Sequence, residues 1–283
     1  MSKRRELEEH VRTLGEIEGI MGAMKNLALM ESHKLNRLLN TQQRVVSDIE
    51  TAGRDFLSFY PGFLPSLSGH ELYLVIGTER GFCGEFNERL LSALDRHVRT
   101  VDDRNPSIFV VGRKLFQRAE QRYRLVGSVE GATVAEEVPS ILGRVIDQVR
   151  AISSRQFPKG SVPVTVVAHD ASTEAVVVRS LRPFHADSTA ADTKPFPPRL
   201  TLPPADFFAQ LVDLYLFSIL HEIFYSALMA ESRARLAHLE AALRRLEGNR
   251  AEMLRKRNLL RQEEITEEIE VLMLSTLETS HRQ

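Results

Sequence analysis

The sequence predicts an α/β fold in which a compact middle domain, built on a largely parallel sheet, is flanked by two long terminal helices. Two observations carry this. All 12 prolines lie between Pro61 and Pro204, and proline inside a helix costs about 3 kcal/mol, so both ends are free to run as uninterrupted helices. Between them, short apolar runs alternate with helical patterns, the signature of βαβ units. The implied organisation is an N-terminal coiled-coil helix over 1–60, an α/β domain over 61–204 and a C-terminal helix over 205–283. Within the last, 205–230 should pack on the α/β domain and 231–283 should form coiled coil.

The first helix follows from a sustained heptad. Steps of three and four from Leu7 reach His10, Leu14, Ile17, Met21, Met24, Ala28, Glu31, Leu35, Leu38, Gln42, Val45, Ile49, Ala52 and Phe56, and only His10, Glu31 and Gln42 break the apolar series. That is a coiled-coil signal over about seven heptads, a rod of about 80 Å. Gly15, Gly19 and Gly22 fall inside it. They mark either the close approach of another helix or chain, or a locally weak helix, since each costs up to about 1 kcal/mol against alanine.

In the middle domain, 71–78 reads as a buried strand, 85–98 as a helix and 106–114 as a strand entering a helix. Residues 134–152 form a further amphipathic helix. Residues 162–170 and 173–181 form two more strands, the first lying at an edge or beginning after Pro163.

The C-terminal helix opens apolar on every face from Asp206 to Met229, so that part is buried. Beyond Glu231 the stripe narrows to Leu236, Leu239, Leu243 and Leu246, with Arg250 and Arg257 on seam positions, and it ends in an apolar tip at Val271, Leu272, Leu274 and Leu277. Arg244, Arg245, Arg250, Arg255, Lys256 and Arg257 form a basic collar, read either as a solvated face or as a surface for acidic partner loops. The simplest assembly pairs this rod antiparallel with the first helix; two intermolecular coiled coils are the alternative.

Composition excludes several classes. The formal net charge is −1, so no global field draws nucleic acid or an anionic membrane. Cys83 is the single cysteine, which excludes an internal disulfide and fits a reducing compartment. The best apolar run, Leu211 to Leu220, is broken by Asp213 and Ser218, so no transmembrane segment is expected. The N-terminal MSKRRELEEH lacks the apolar core of a secretory signal, and the protein is expected to stay inside the cell. There is no phosphate loop and no dinucleotide fingerprint, and His221-Glu222 lacks a second histidine for zinc. No catalytic residue, cofactor or metal is implied, and Cys83 reads as a small buried thiol.

Several segments resemble one family. TERGFCGEFNERLL (78–91) is similar to the T/S-D-R-G-L-C-G-x-x-N-x-x-L stretch of the gamma subunit of F-type ATP synthases, through Arg80, Gly81, Cys83, Gly84 and Asn87. Residues 11–35 look like that family's first helix, with Ala23-Met24 on its K-A-M triplet; 111–123 and 230–249 follow two further family segments. RNLLRQEEITEEIEVLM (257–273) matches its Y-N-K-A-R-Q-A-A-I-T-Q-E-L-x-E-I-V in register. The resemblance implies an antiparallel pair of long helices with a Rossmann-like α/β domain at its base, acting as a central rotor shaft that couples ion translocation to ATP chemistry on the beta subunits. The shaft itself would be non-catalytic. Its implied partners are the alpha and beta subunits, the epsilon subunit and the membrane c-ring, and its implied place is the cytoplasmic face of a bacterial inner membrane. Met24 matches a beta contact, Arg261 and Gln262 match a pair that bonds a beta catch loop, and the apolar tip would sit in a bearing sleeve. Gly22, Glu79, Glu263 and Glu264 depart from the family pattern and suggest a divergent or alternate-operon branch. Two other readings stand beside it: a free-standing coiled-coil tether with an α/β head, and an α/β enzyme whose helices dimerise it.

Overall fold

The computed structural model describes residues 3–63, 71–156, 163–184 and 196–280; for 154–156 and 274–280 it describes the backbone alone. The chain divides into two compact units, Met1–Leu27 with Ala237–Gln283, and Ala28–Leu236. Helix α1 spans Lys3–Phe59 and the last helix, α5, spans Pro204–Ser280. Their proline-free stretches do form single helices. Pro204 opens α5 at the first helical position, where its missing N–H goes unused.

The larger unit is a three-layer α/β domain. Its strands are β1 (Leu72–Ile76), β2 (Ser107–Val111), β3 (Leu125–Val129), β4 (Val164–His169) and β5 (Val176–Ser180). Between them run α2 (Phe86–Thr100), α3 (Arg113–Ala119) and α4 (Val138–Gln156). The sheet order is β3-β2-β1-β4-β5. β1, β2, β3 and β4 are parallel, and β5 pairs antiparallel with β4. This is the doubly wound order with a reversed edge strand. Strand alternation sorts the side chains into two cores. Leu72, Leu74, Ile76, Phe109, Val111 and Val166 face α4 and the portions of α1 and α5 in this unit. Tyr73, Val75, Ile108, Val110 and Val167 face α2 and α3.

The sheet is largely parallel, as the sequence predicts, with only the edge strand β5 reversed. β4 is central and starts after Pro163, so the second of the two alternatives for it holds. The strand the sequence does not predict is β3, because Gly127 and Ser128 dilute its apolar run. The glycine answers to space: a Cβ there would lie 2.7 Å from the Phe109 ring.

The α1 seam also shifts. Val46 is buried and Val45 is 39% exposed, where a strict heptad selects Val45. A straight helix drifts about 20° per heptad from a 3.5-residue repeat, and in this unit α1 packs through Ala28, Leu35, Leu39, Val46, Ile49 and Phe56. The polar seam positions have work to do. Glu31 accepts the Ala135 N–H at 2.6 Å, and Gln42 donates to the Ser218 carbonyl at 2.9 Å. Gly53 is needed because Phe184 presses on it, with its ring 2.1 Å from where a Cβ would stand. Phe56 anchors an aromatic cluster with Tyr60, Phe63, Phe207 and Phe208, at centroid separations of 4.7, 5.6, 5.2 and 5.5 Å.

α5 contains a stretch that by length and composition could cross a membrane, with mean hydropathy 1.4 and 44% of it buried in the fold. The apolar run expected to be too short is thus long enough when averaged across Asp213 and Ser218. Its buried face is the one that the larger unit uses as core, through Phe208, Leu211, Tyr215, Ile219 and Leu220.

Candidate partner-contact surfaces

In the smaller unit the N-terminal part of α1 and the C-terminal part of α5 run antiparallel. Arg4 pairs with Glu264 at 3.1 Å, Glu18 with Arg250 at 2.9 Å and Lys25 with Glu240 at 3.1 Å. In this unit the half-buried positions on α1 are 4, 7, 11, 14, 15, 18, 22, 24 and 25, with Met21 buried, and on α5 they are 240–243, 246, 250, 253, 254, 257, 260 and 264, with Leu239 buried. A series in steps of three and four runs through each, 4-7-11-14-18-21-25 on α1 and 243-246-250-253-257-260-264 on α5. On α1 that series shares Leu7, Leu14 and Met21 with the predicted seam, takes Val11 and Glu18 in place of His10 and Ile17, and adds Lys25 beside the predicted Met24, which is itself half-buried. It puts charge inside the seam; Ile17 is 39% exposed, and Ile20 and Leu27, which lie on neither series, are 63% and 65% exposed. Of the three glycines, Gly15 is met by the Arg250 guanidinium at 3.6 Å, while Gly19 and Gly22 have nothing within 4 Å. Within this chain, another helix comes close at Gly15 and not at Gly19 or Gly22.

On α5, Arg244, Arg245, Arg255 and Lys256 are exposed. Arg250 is drawn into the seam by Glu18, and Arg257 is half-buried and donates to Asn258. The collar is thus split: Arg250 is consumed by the helix pair, and Lys256 pairs with Glu252 at 2.7 Å within its own helix. Arg261 and Gln262 lie side by side on the exposed face. Val271 and Leu272 are exposed too; the side chains of Leu274 and Leu277 lie outside the described residues.

The 78–91 segment forms the loop after β1 and the start of α2. Asn87 is buried, accepting the Thr78 N–H at 3.1 Å and donating to the Thr78 hydroxyl at 2.8 Å, which clamps the strand end to the helix. Glu79 accepts the Arg113 N–H at 2.9 Å and the Gly131 N–H at 2.8 Å, tying the loop to the start of α3 and to the turn after β3. Phe82 and Gly84 have φ of 64° and 60°, and Phe82 is 52% exposed. Arg80 is exposed and Gly81 half-buried. The Cys83 thiol is buried, and burial pushes it up to about 12.

Beneath the loop lies a buried pair that the sequence does not announce. Arg235 donates to Glu231 one turn earlier on α5, and also to the Gly81 carbonyl at 3.4 Å. Burial pushes Glu231 up to about 7, against the pull of Arg235 and an N–H bond from Arg80. A second polar knot holds α5 to the end of β4. Burial alone would raise Asp170, but the hydroxyls of Ser172, Thr173 and Ser226 hold it at about 2. The signals that could have found these groups, Glu231 four residues before Arg235 and the Asp170-x-Ser172-Thr173 turn, are common on ordinary surfaces.

At the carboxyl ends of β1 and β2, Phe224, Ala227, Leu228 and Glu231 of α5 leave a cavity of about 20 Å³, and at the carboxyl end of β4 a cavity of about 240 Å³ is lined by His169, Asp170, Glu222 and Ser226 among others.

The fold and surfaces define a two-unit α/β protein whose long helices turn charged and apolar side chains outward. A family model described as ATP synthase matches residues 3–273, and the chain belongs to that family, among its gamma subunits. Solved structures agree in fold. A rotor chain of the Euglena gracilis mitochondrial ATP synthase is 15% identical with TM-score 0.58, over 93% of this chain and 98% of that one. A chain from the OSCP/F1/c-ring assembly of the same enzyme is 18% identical with TM-score 0.57, over 98% and 94%. A chain of the central stalk and c-ring of the Tetrahymena thermophila mitochondrial ATP synthase is 16% identical with TM-score 0.52, over 79% and 99%. A search of curated proteins gives no match.

Proposed function

We propose that this chain is the central rotor shaft of an ATP synthase, coupling ion translocation through the membrane sector to ATP synthesis or hydrolysis on the beta subunits while performing no chemistry itself. The observation that carries this reading is the family match over residues 3–273, which takes in both long helices as well as the α/β unit. The partners are the alpha and beta subunits around the helix pair, and the epsilon subunit and c-ring at the α/β unit, at the cytoplasmic face of a bacterial inner membrane. A shaft does work by differential contact: each angle must favour one beta conformation over another. Exposed Arg244, Arg245 and Arg255 suit acidic partner loops without fixed contacts. Arg261 and Gln262 would bond a beta catch loop, and Val271 and Leu272 would turn in an apolar bearing.

A tagged pull-down from native membranes tests the assignment. Alpha- and beta-sized ATPase chains should co-purify in excess over this chain; their absence ends the reading and leaves the tether. Within the assembled complex, Met24→Lys should weaken ATP-driven ion pumping without loss of assembly, and unchanged pumping would remove Met24 from the beta contact. Replacing Arg261 and Gln262 by alanine should lower ATPase turnover, and normal turnover would remove their catch role.

A further inference from the structure

In the smaller unit α1 carries two candidate seams that share Leu7, Leu14 and Met21. The seam in use adds Val11, Glu18 and Lys25, all half-buried. The other adds His10, Ile17 and Met24; of these His10 and Ile17 stand exposed, while Met24 is half-buried beside Lys25. At about 3.5 residues per turn, the columns three and four residues on from the shared one lie to either side of it, so the midlines of the two seams differ by about 50°. A turn of α1 about its own axis by that amount carries Ile17 in and Glu18 out. What holds the seam in use is charge. Glu18 meets Arg250 at 2.9 Å and Lys25 meets Glu240 at 3.1 Å, with side chains between 25% and 43% exposed. Ion pairs so exposed contribute little and weaken in salt, whereas the apolar gain from burying Ile17 and the rest of Met24 is not screened. The helix is also soft at this point. Gly19 and Gly22 have nothing within 4 Å, so space does not require them, and glycine loosens a helix.

We propose that the helix pair is a two-position element, in which α1 turns about its axis between the seam through Glu18 and Lys25 and the seam through Ile17 and Met24. The turn carries the outward apolar residues Ile20 and Leu27 round the rod, so the two positions present different faces to a neighbouring chain. The inference rests on the helix pair alone and stands or falls without the rotor assignment.

Crosslinking in the full chain tests it, at a level away from the Glu18 and Lys25 ion pairs. Val11 and Arg257 each lie midway between the Arg4–Glu264 and Glu18–Arg250 pairs on their helices. Arg257→Cys is combined in turn with Val11→Cys, His10→Cys and Glu9→Cys and treated with a short bis-methanethiosulfonate. Peptide masses identify the joined thiols and separate them from the buried Cys83. Val11 reports the seam in use, His10 the other, and Glu9 the face outside both. The Val11 crosslink should dominate at low salt. Raising salt from about 0.05 to about 1 M should lift the ratio of His10 to Val11 crosslinks about threefold or more, with Glu9 at background. Glu18→Gln with Lys25→Gln should produce the same shift at low salt. The salt series needs no change at either ion pair, so it decides even where the double variant does not fold. A ratio that salt leaves unchanged overturns the proposal. So does a Glu9 crosslink that rises along with that of His10, since the pair would then be loosening rather than turning.

Discussion

The two units of this chain are held together by different physics. In the larger one, strand residues such as Tyr73, Leu74, Phe109 and Val110 are fully enclosed, and each sheet face has a dry core. In the smaller one, among the described residues, only Met21 and Leu239 are buried, and the seam carries Glu18, Lys25, Arg250 and Arg257. Buried apolar area supplies most folding free energy, whereas exposed ion pairs supply about 0–1 kcal/mol each. The α/β unit is therefore stable by its own core. The helix pair holds its register by charge and keeps apolar side chains such as Ile20 and Leu27 on its outside, which suits a part completed by surrounding chains.

The largest effect that could break this contrast lies in the aromatic cluster. Phe56→Ala should cost about 3–5 kcal/mol, because Phe56 is 1% exposed and four rings close on it. Urea unfolding monitored in the α/β unit checks it. A loss below about 1 kcal/mol would mean that this core is not what holds the unit.

A smaller effect, on the order of 2 kcal/mol, belongs to Glu231. It is faced by Arg235 on its own helix and, from the loop, by Glu79, the Arg80 N–H and Cys83. Its folded value is raised to about 7 from an ordinary 4.5. The folded state therefore keeps a proton that the unfolded chain has released. The stability this contributes is whole below about 4.5 and drains away as pH rises to about 7. Glu231→Gln should flatten that decline and match or exceed the parent's stability above pH 7, although it removes half of an ion pair. A parent whose unfolding free energy rises between those pH values would show instead that Arg235 dominates burial.

These two sites also mark what could be read in advance. The strands around Leu74, Phe109 and Val166 were legible because strands buried on both faces are continuous apolar runs. The long helices were legible because nothing in them forbids a helix. β3 was hidden by Gly127, a residue dictated by the Phe109 ring across the sheet. The seam was legible in period and ambiguous in phase: Leu7, Leu14 and Met21 serve two heptads, and sequence favours the one through Ile17 and Met24 because it is more apolar. The structure takes Glu18 in place of Ile17 and keeps Met24 and Lys25 both half-buried, a choice hidden from the sequence because the partners Arg250 and Glu240 lie far along the chain. The Glu231–Arg235 pair was illegible for the same reason. Burial makes it unusual, and burial is tertiary. Arg261 and Gln262 came into view only through their motif.

The smallest effect is the sharpest probe of the contrast. Glu18 and Arg250 meet at 2.9 Å with side chains 25% and 43% exposed, and the Arg250 guanidinium lies along Gly15. A cycle of Glu18→Gln, Arg250→Gln and the double variant should give a coupling of about 0.5 kcal/mol, falling as salt is added, because the pair is partly solvated. Amide exchange along residues 11–25 and 243–257 is the readout, since global unfolding reports the α/β core. Protection in those stretches should fall in either single variant, while β1 and β4 stay unchanged. A coupling several-fold larger and insensitive to salt would make the pair a buried structural link, and the helix pair would then be as self-sufficient as the α/β unit.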